Sequence, residues 1–395
     1  ASDVYKRQDS YIPLVDLTPR ERVLTALRHE EPDRVPLDLG GSTCRIAVGE
    51  PHGYLALCRH LGLGDVRVEL RPASFNVSRV DERILRRFGV DLRHVRVRDL
   101  GRRVSDRVYV DMFGVRWLRM RSHYYPVDPP LRNARGPRDV EAYPWPRTDD
   151  PRLFEGLERE AEAYREEGYA VVAEIPGGIF HRYAFLRGFS RWFLDMRMEP
   201  ELYRALADMI TKTLLEISLN FLEAVGDYVD LAFFGDDMGH QTGPFLSVED
   251  YRRYVKPWFS RYVGEVKKRF PRVKLIYHTC GSVYELIPEF MECGIDILNP
   301  LQPNAKGMDH GRIKREFGDR LCFHGGVDVQ RVLPFGTVEE VARHVRKVIE
   351  DLAPGGGYIL APSQDIHPDV PPENIRAVYE TALRYGRYPI RPSGS

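Results

Sequence analysis

A short apolar run, Val273-Lys274-Leu275-Ile276-Tyr277, leads directly into His278-Thr279-Cys280-Gly281. The run has the length and composition of a buried β-strand. Because successive strand side chains alternate between two faces, His278 and Cys280 point the same way if the extended geometry continues. Imidazole and thiolate together suit zinc. A core histidine beside a buried cysteine would explain the same letters, since cysteine is among the most buried residue types.

Seven further short runs predict strands, at residues 35–39, 92–97, 170–175, 229–234, 295–298, 321–323 and 358–361. Longer amphipathic stretches lie between them. A helix is expected to begin at Thr18, where Pro19 and Glu21 complete an N-terminal capping pattern. Eight strands that alternate with helices predict an α/β fold, a (β/α)8 TIM barrel with an N-terminal helix.

The stretch 108–150 does not follow this alternation and is rich in proline and aromatic residues. We interpret it as an insertion after the second strand that either caps the barrel mouth or serves as a scaffold loop. Residues 18–395 are expected to form a single domain around the barrel. Residues 1–17 are expected to be a disordered or expression-derived N-terminus.

Composition narrows the possible functions. Lysine plus arginine equals aspartate plus glutamate, 58 each, so no net charge attracts nucleic acid or an anionic membrane surface. No apolar run reaches the length of a membrane helix. The 5 cysteines are scattered, which argues against a disulfide framework and for a reducing cytoplasm. We therefore expect a cytoplasmic enzyme that acts on a small-molecule substrate.

Polar residues follow most of the predicted strands, and barrel enzymes place their chemistry at these C-terminal strand ends. The predicted metal ligands are His278 and Cys280. The predicted catalytic residues are Arg45, Glu174, Asp236 and Asp237. The predicted substrate-binding residues are Gln241, Asn299, Gln302, His324 and Gln364. So many polar groups at one mouth are better explained by a site than by packing, since acids are rarely buried without a partner.

Two of these assignments have a structural alternative. Asp236 and Asp237 would also be explained if they cap the helix that follows or pair with Arg45. Arg45 itself would suit a substrate carboxylate, or would be an ordinary surface arginine.

Several segments taken together carry a resemblance that extends from Thr18 to Gly386. They are 21–24 with 32–36, 235–237, 278–282, 294–296, 325–328, and 356–362 with 371–374. In this combination the chain resembles the uroporphyrinogen decarboxylase superfamily, which includes the corrinoid-linked methyltransferases. The resemblance implies a (β/α)8 barrel, and the pattern is closest to the methyltransferase branch.

The methyltransferase branch implies zinc held by a His-x-Cys pair and a later cysteine. His278 and Cys280 match the pair, whereas the later position falls on Gln364. We therefore expect a nearby acid, Asp236 or Asp237, to complete the zinc site, with Asp365 or His367 as further candidates. The branch also implies a separate corrinoid (cobalamin) protein that donates or accepts the methyl group.

The decarboxylase branch implies several arginines after the first strand, of which only Arg45 is present. Metal-independent decarboxylation of uroporphyrinogen, or of a related carboxylated substrate, is the second hypothesis. A non-catalytic barrel that binds a corrinoid or tetrapyrrole is the third. A homodimer is possible under each of them.

Overall fold

The computed structural model describes residues 16–41, 43–70, 76–120 and 123–390. Most of the predicted N-terminal tail, residues 1–15, lies outside these described residues, as does the C-terminal stretch 391–395. Within the described residues, no helix combines the length and the hydropathy that a membrane span requires.

A curled parallel sheet forms the barrel wall. Its strands, in chain order, are Leu92–Arg96, Ala170–Glu174, Leu231–Gly235, Lys274–His278, Ile297–Asn299, Cys322–Val327 and Tyr358–Pro362, each paired with the next. The extended segment 35–39 closes the wall, because Leu37 forms a parallel bridge with Leu360 and its carbonyl accepts from the Asp91 N–H at 2.9 Å. Seven of the eight predicted strands are therefore present as strands and the first as an extended segment, and the predicted (β/α)8 barrel is confirmed.

Helices surround the wall and fill the connections. The α-helices are Pro19–Ala26, Gly53–His60, Glu82–Arg87, Pro137–Glu141, Leu157–Glu166, Ile179–Arg187, Phe189–Met198, Pro200–Val225, Val248–Tyr254, Lys256–Arg269, Ile287–Cys293, His310–Phe317, Val332–Phe335, Val338–Leu352 and Pro372–Tyr385. The predicted start of the first helix is confirmed, since the Thr18 side chain and Glu21 form a capping box.

One predicted helix is interrupted. The apolar pattern from Tyr251 to Val266 predicts a continuous helix, whereas the structure has two, Val248–Tyr254 and Lys256–Arg269, separated at Val255. Pro257 explains the break, because proline has no N–H to donate and its ring excludes a preceding helical turn.

The barrel interior changes character along its axis. Alternate residues of each strand point inward. The inward residues near the N-terminal strand ends are apolar, and they pack with Val23 and Leu27, which close that end of the barrel. These inward residues are Leu92, Ala170, Val172, Leu231, Phe233, Ile276, Ile297, Cys322 and Ile359. Toward the C-terminal strand ends the inward positions become polar, at His94, Glu174, His278, Asn299 and His324. The interior is therefore a packed core under a polar floor.

The insertion forms its own antiparallel sheet, with strands Arg102–Ser105, Val108–Val110, Arg116–Met120 and His123–Val127. It begins earlier than the predicted boundary at residue 108, because the exposed first strand, Arg102–Ser105, lacks the apolar run that would mark it in the sequence. Phe113 and Trp117 from this insertion line the cavity at the barrel mouth. It therefore caps the mouth, one of the two predicted roles.

Arg22 ties the first helix to the base of the barrel. Its guanidinium donates to Asp33 at 2.7 and 2.6 Å and to Asp91 at 2.6 Å, and all three residues are buried. We expect Arg22→Ala to lower the free energy of unfolding by about 3–5 kcal/mol, since it leaves buried carboxylates short of a partner. Urea unfolding measures this. Arg28→Ala, which removes a solvent-exposed pair with Glu30, is the control and should cost far less; equal losses would contradict the assignment.

Candidate functional site

A cavity of about 590 Å³ opens at the C-terminal ends of the barrel strands. Its floor is polar and includes Glu174, Asp237 and His278, while the inserted sheet contributes Phe113 and Trp117 to its wall. This is the position at which barrel enzymes carry their active sites. The volume is in the range of small-molecule pockets.

Three potential metal ligands meet at this floor. One ligand atom each from Asp237, His278 and Cys280 lies within 4.8 Å of the others. Asp237 Oδ1 is 3.3 Å from His278 Nε2 and accepts the Cys280 N–H at 2.9 Å. The two side chains of the His-x-Cys pair do converge, as strand alternation predicts.

The turn after Cys280 holds this arrangement in place. Gly281 has a φ of +88°, and a Cβ there would lie 2.4 Å from the backbone of Gly239. Only glycine fits such a conformation and such a close approach. The Gly281 N–H donates to Gln302 Oε1 at 2.8 Å, so the Gln302 side chain stabilises the turn. The sequence Cys280-Gly281 thus ends the strand with the thiol directed toward Asp237.

The electrostatics of the three groups favour a cation. Burial works against the charged form of each, yet His278 holds the pKa of the Asp237 carboxyl well below its usual range, and Asp237 raises the pKa of His278. Burial, with the Asp237 charge, raises the pKa of the Cys280 thiol far above its usual value. The thiol is therefore protonated beside this carboxylate, a situation that a bound divalent cation would reverse.

The donor set fits zinc. An imidazole nitrogen, a thiol sulfur and a carboxylate oxygen are its preferred protein ligands, and three of them leave one position open for a substrate. Of the two acids predicted to complete the site, Asp237 is the one that lies beside His278 and Cys280. The position matching the later cysteine, Gln364, also lines the cavity.

Asp236 has a different environment. It is 3% exposed, and its two carboxylate oxygens accept the N–H groups of Phe180 and His181 at 2.8 and 2.9 Å. Burial raises its pKa to about 6. It thus satisfies the first turn of the helix Ile179–Arg187, which precedes it in the chain, rather than the following helix that the sequence suggested.

Comparison with known proteins assigns the chain to a family. The family model for uroporphyrinogen decarboxylase (URO-D) matches residues 128–385. The chain belongs to the uroporphyrinogen decarboxylase family. It is 23% identical over 211 residues to the uroporphyrinogen decarboxylase of Chlorobium phaeobacteroides, and 27% identical over 218 residues to that of Thioalkalivibrio sulfidiphilus. These matches cover 52% and 54% of the chain, and 54% and 55% of the relatives, so this family member spans about half their length.

A solved methyltransferase from Methanosarcina mazei has the same fold. It superposes with a TM-score of 0.66 over 93% of this chain and 99% of the other, at 18% sequence identity. The agreement covers nearly the whole of both chains and supports the barrel assignment for this uroporphyrinogen decarboxylase family member.

The other predicted site residues of this family member fall into two groups. Glu174, Arg45 and Gln364 line the cavity. Arg45 pairs with Asp365 at 2.8 Å, and it is 6% exposed rather than an ordinary surface arginine. Asn299, Gln302 and His324 are buried outside the cavity lining, and Gln241 is exposed on the hairpin 239–244. For these four residues, direct substrate binding stays a prediction, since none of them is among the residues that line the cavity.

Several residues at the site were missed from the sequence. Asp38 and His94 are buried in the polar floor, and both lie within predicted strands, where strand alternation would have placed them inside the barrel. Arg96, Arg98 and Arg182 line the cavity. Arg45 is thus joined at the cavity by three arginines that come from the second strand, its exit and a helix, and not from the segment after the first strand.

Proposed function

We propose that this family member catalyses zinc-assisted methyl transfer between a small substrate and a corrinoid protein. The observation that carries the proposal is the convergence of Asp237, His278 and Cys280 within 4.8 Å at the cavity floor. Zinc held there would act as a Lewis acid that activates a thiol or oxygen group of the substrate. The 5 cysteines are free thiols, which supports the predicted cytoplasmic location.

The protein's own groups supply binding and orientation. Asp237, His278 and Cys280 would hold the metal, and the cavity above them would position the substrate group at the open coordination site. Phe113 and Trp117 form an aromatic part of the wall, which would shield a bound substrate from water on that side. The inserted sheet 102–127 borders the mouth, where a corrinoid protein would have to dock to bring its methyl group to the floor.

Metal content is the first test. Protein purified under reducing conditions without chelator should contain about one zinc per chain by mass spectrometry, and His278→Ala should lose it. His240→Ala is the matched control, because His240 is exposed on a neighbouring hairpin and should leave the zinc in place. Wild-type protein that stays metal-free after incubation with zinc would contradict the proposal.

Activity is tested in two directions, with free methylcobalamin as the methyl donor to small thiols, and with free cob(I)alamin, kept reduced, as the methyl acceptor from methoxylated compounds. Cleavage or formation of the cobalt–methyl bond is followed in the absorption spectrum. The expected result is turnover that a chelator removes and added zinc restores.

A second candidate, metal-independent decarboxylation, is favoured by the arginines at the cavity. Arg96 lies 3.2 Å from Glu174 at the floor, and Arg182 lies 2.7 Å from Asp111 of the insertion, and both arginines line the cavity. Such groups bind carboxylates in a bidentate manner. Decarboxylation of uroporphyrinogen that is insensitive to chelator and to Cys280→Ser would select this candidate over methyl transfer.

A further inference from the structure

A line of buried polar side chains runs under the candidate metal site. His278 Nδ1 lies 2.5 Å from Asn299 Oδ1, and Asn299 Nδ2 lies 2.6 Å from His324 Nδ1. His324 Nε2 in turn lies 2.8 Å from Asp38 Oδ2. Asp38, Asn299 and His324 are each 0% exposed. The line therefore joins a potential metal ligand to a carboxylate at the centre of the barrel.

The far end of the line fixes the direction of its hydrogen bonds. Asp38 Oδ1 faces His94 Nε2 at 2.9 Å, while Oδ2 faces His324. Burial opposes ionisation, but the two imidazole rings hold the pKa of Asp38 well below its usual range. An ionised carboxylate can only accept, so both histidines must donate to it from Nε2.

The orientation of the Asn299 amide follows from a second acceptor. Asn299 Nδ2 lies 3.4 Å from the backbone carbonyl oxygen of His324, a group that cannot donate. On the other side, Thr43 Oγ1 donates to Asn299 Oδ1 at 3.2 Å. The NH2 group therefore faces His324, whose Nδ1 accepts, and the amide oxygen faces His278.

The consequence reaches the metal site. Because Asn299 Oδ1 is an acceptor, His278 must carry a proton on Nδ1, so Nε2 is the nitrogen left for a metal. Nε2 faces Asp237 at 3.3 Å, and without a metal that carboxylate accepts a proton from it, which a bound cation would replace. We infer that Asp38 is a positioning residue which, through His324 and Asn299, fixes His278 in the tautomer that a metal requires. The inference rests on the proposed zinc function, in which His278 is a zinc ligand.

His94 completes the environment of Asp38. It supplies the second donor, and its ring lies against Gly41, where a Cβ would come within 1.9 Å of His94 Cγ. Its Nδ1 is 3.5 Å from Glu174 Oε1 at the cavity floor. Arg93 and Arg96 are the other charged neighbours whose fields act on His94 and Glu174. Both oxygens of Asp38 are thus occupied without a metal.

A rival explanation of the same residues is a second metal site. Ligand atoms of Asp38, Cys44 and His324 also lie within 4.8 Å of one another. However, the Cys44 thiol donates to the Gly41 carbonyl at 3.1 Å, and both nitrogens of His324 are engaged in the line. Because these groups already form hydrogen bonds with protein partners, the cluster is better explained as part of the network that orients His278.

The test measures the tautomer and the metal affinity separately. In metal-free wild-type protein, nitrogen NMR of His278 should show a proton on Nδ1, whether or not Nε2 is also protonated toward Asp237. Cobalt(II) titration, followed by its absorption spectrum, then compares Asp38→Asn, Asn299→Leu and Asn299→Asp with wild type. We expect the first two to weaken binding about 10–100-fold, as loss of outer-shell partners does. Asn299→Asp should bind within a few-fold of wild type, since a carboxylate still accepts from Nδ1.

The outcomes are distinct. An unprotonated Nδ1 in wild-type protein, or unchanged cobalt affinity in both Asp38→Asn and Asn299→Leu, would overturn the inference. If Asp38→Asn does not fold, the comparison of Asn299→Leu with Asn299→Asp and the NMR spectrum of wild-type protein still test the inference. A wild-type protein that has the Nδ1–H tautomer but binds neither cobalt nor zinc would overturn the proposed function and leave the orienting role of Asp38 standing.

Discussion

Protein carrying Cys280→Ser should keep its fold and lose both its zinc and its turnover. A serine hydroxyl does not ionise near neutral pH and is a poor substitute for the thiolate that zinc prefers. Its loss should weaken zinc binding by more than the 10–100-fold typical of an outer-shell change. If the metal supplies about 4 kcal/mol of transition-state stabilisation, turnover falls about a thousandfold. Metal content, a zinc competition titration and the methylcobalamin assay measure these effects.

Cys293→Ser is the matched control for this substitution. Cys293, like Cys280, is partly exposed, but it ends the outer helix Ile287–Cys293 and its thiol contacts Ser260. It should bind zinc and turn over as wild type does. The fold of the Cys280 variant should persist because the Cys280 backbone N–H, which is unchanged, still donates to Asp237. Turnover that survives Cys280→Ser would exclude the zinc mechanism.

Local sequence was sufficient for the fold and for part of the site. Each wall strand is a short apolar run, and the alternation rule places His278 and Cys280 on one face, as the structure has them. Barrel topology then brings the strand ends together, so Glu174 and Gln364 were expected at the mouth from their positions, and both line the cavity. These predictions depend on neighbours in sequence and on one general property of the fold.

Long-range pairing was beyond the sequence. Asp38 and His324 are separated by 286 residues and meet only because the barrel closes between the first and last parts of the chain. His94 was passed over for the same reason, since nothing near it in sequence shows that it faces Asp38. Arg182 reaches the cavity from a helix whose orientation depends on packing. The interruption at Val255 was different: Pro257 was visible in the sequence but was outweighed by a continuous apolar pattern.

The neighbouring acids Asp236 and Asp237 allow a direct comparison, because the proposal makes Asp237 a zinc ligand and gives Asp236 a structural role. We expect Asp237→Asn to lose zinc affinity at least as strongly as an outer-shell change, by about 10–100-fold or more, with little change in stability. The asparagine oxygen can still accept the Cys280 N–H, but it is neutral and a weaker ligand. Zinc titration of the folded variant measures the effect.

Asp236→Asn should give the opposite result. Its amide NH2 would oppose one of the two backbone N–H groups that Asp236 now accepts, from Phe180 and His181. Leaving that buried donor unsatisfied should cost about 1–3 kcal/mol in the free energy of unfolding. Zinc affinity should stay near the wild-type value, since Asp236 lies outside the ligand cluster. A variant pair in which Asp236→Asn loses the metal and Asp237→Asn retains it would reverse the two roles and require a different third ligand.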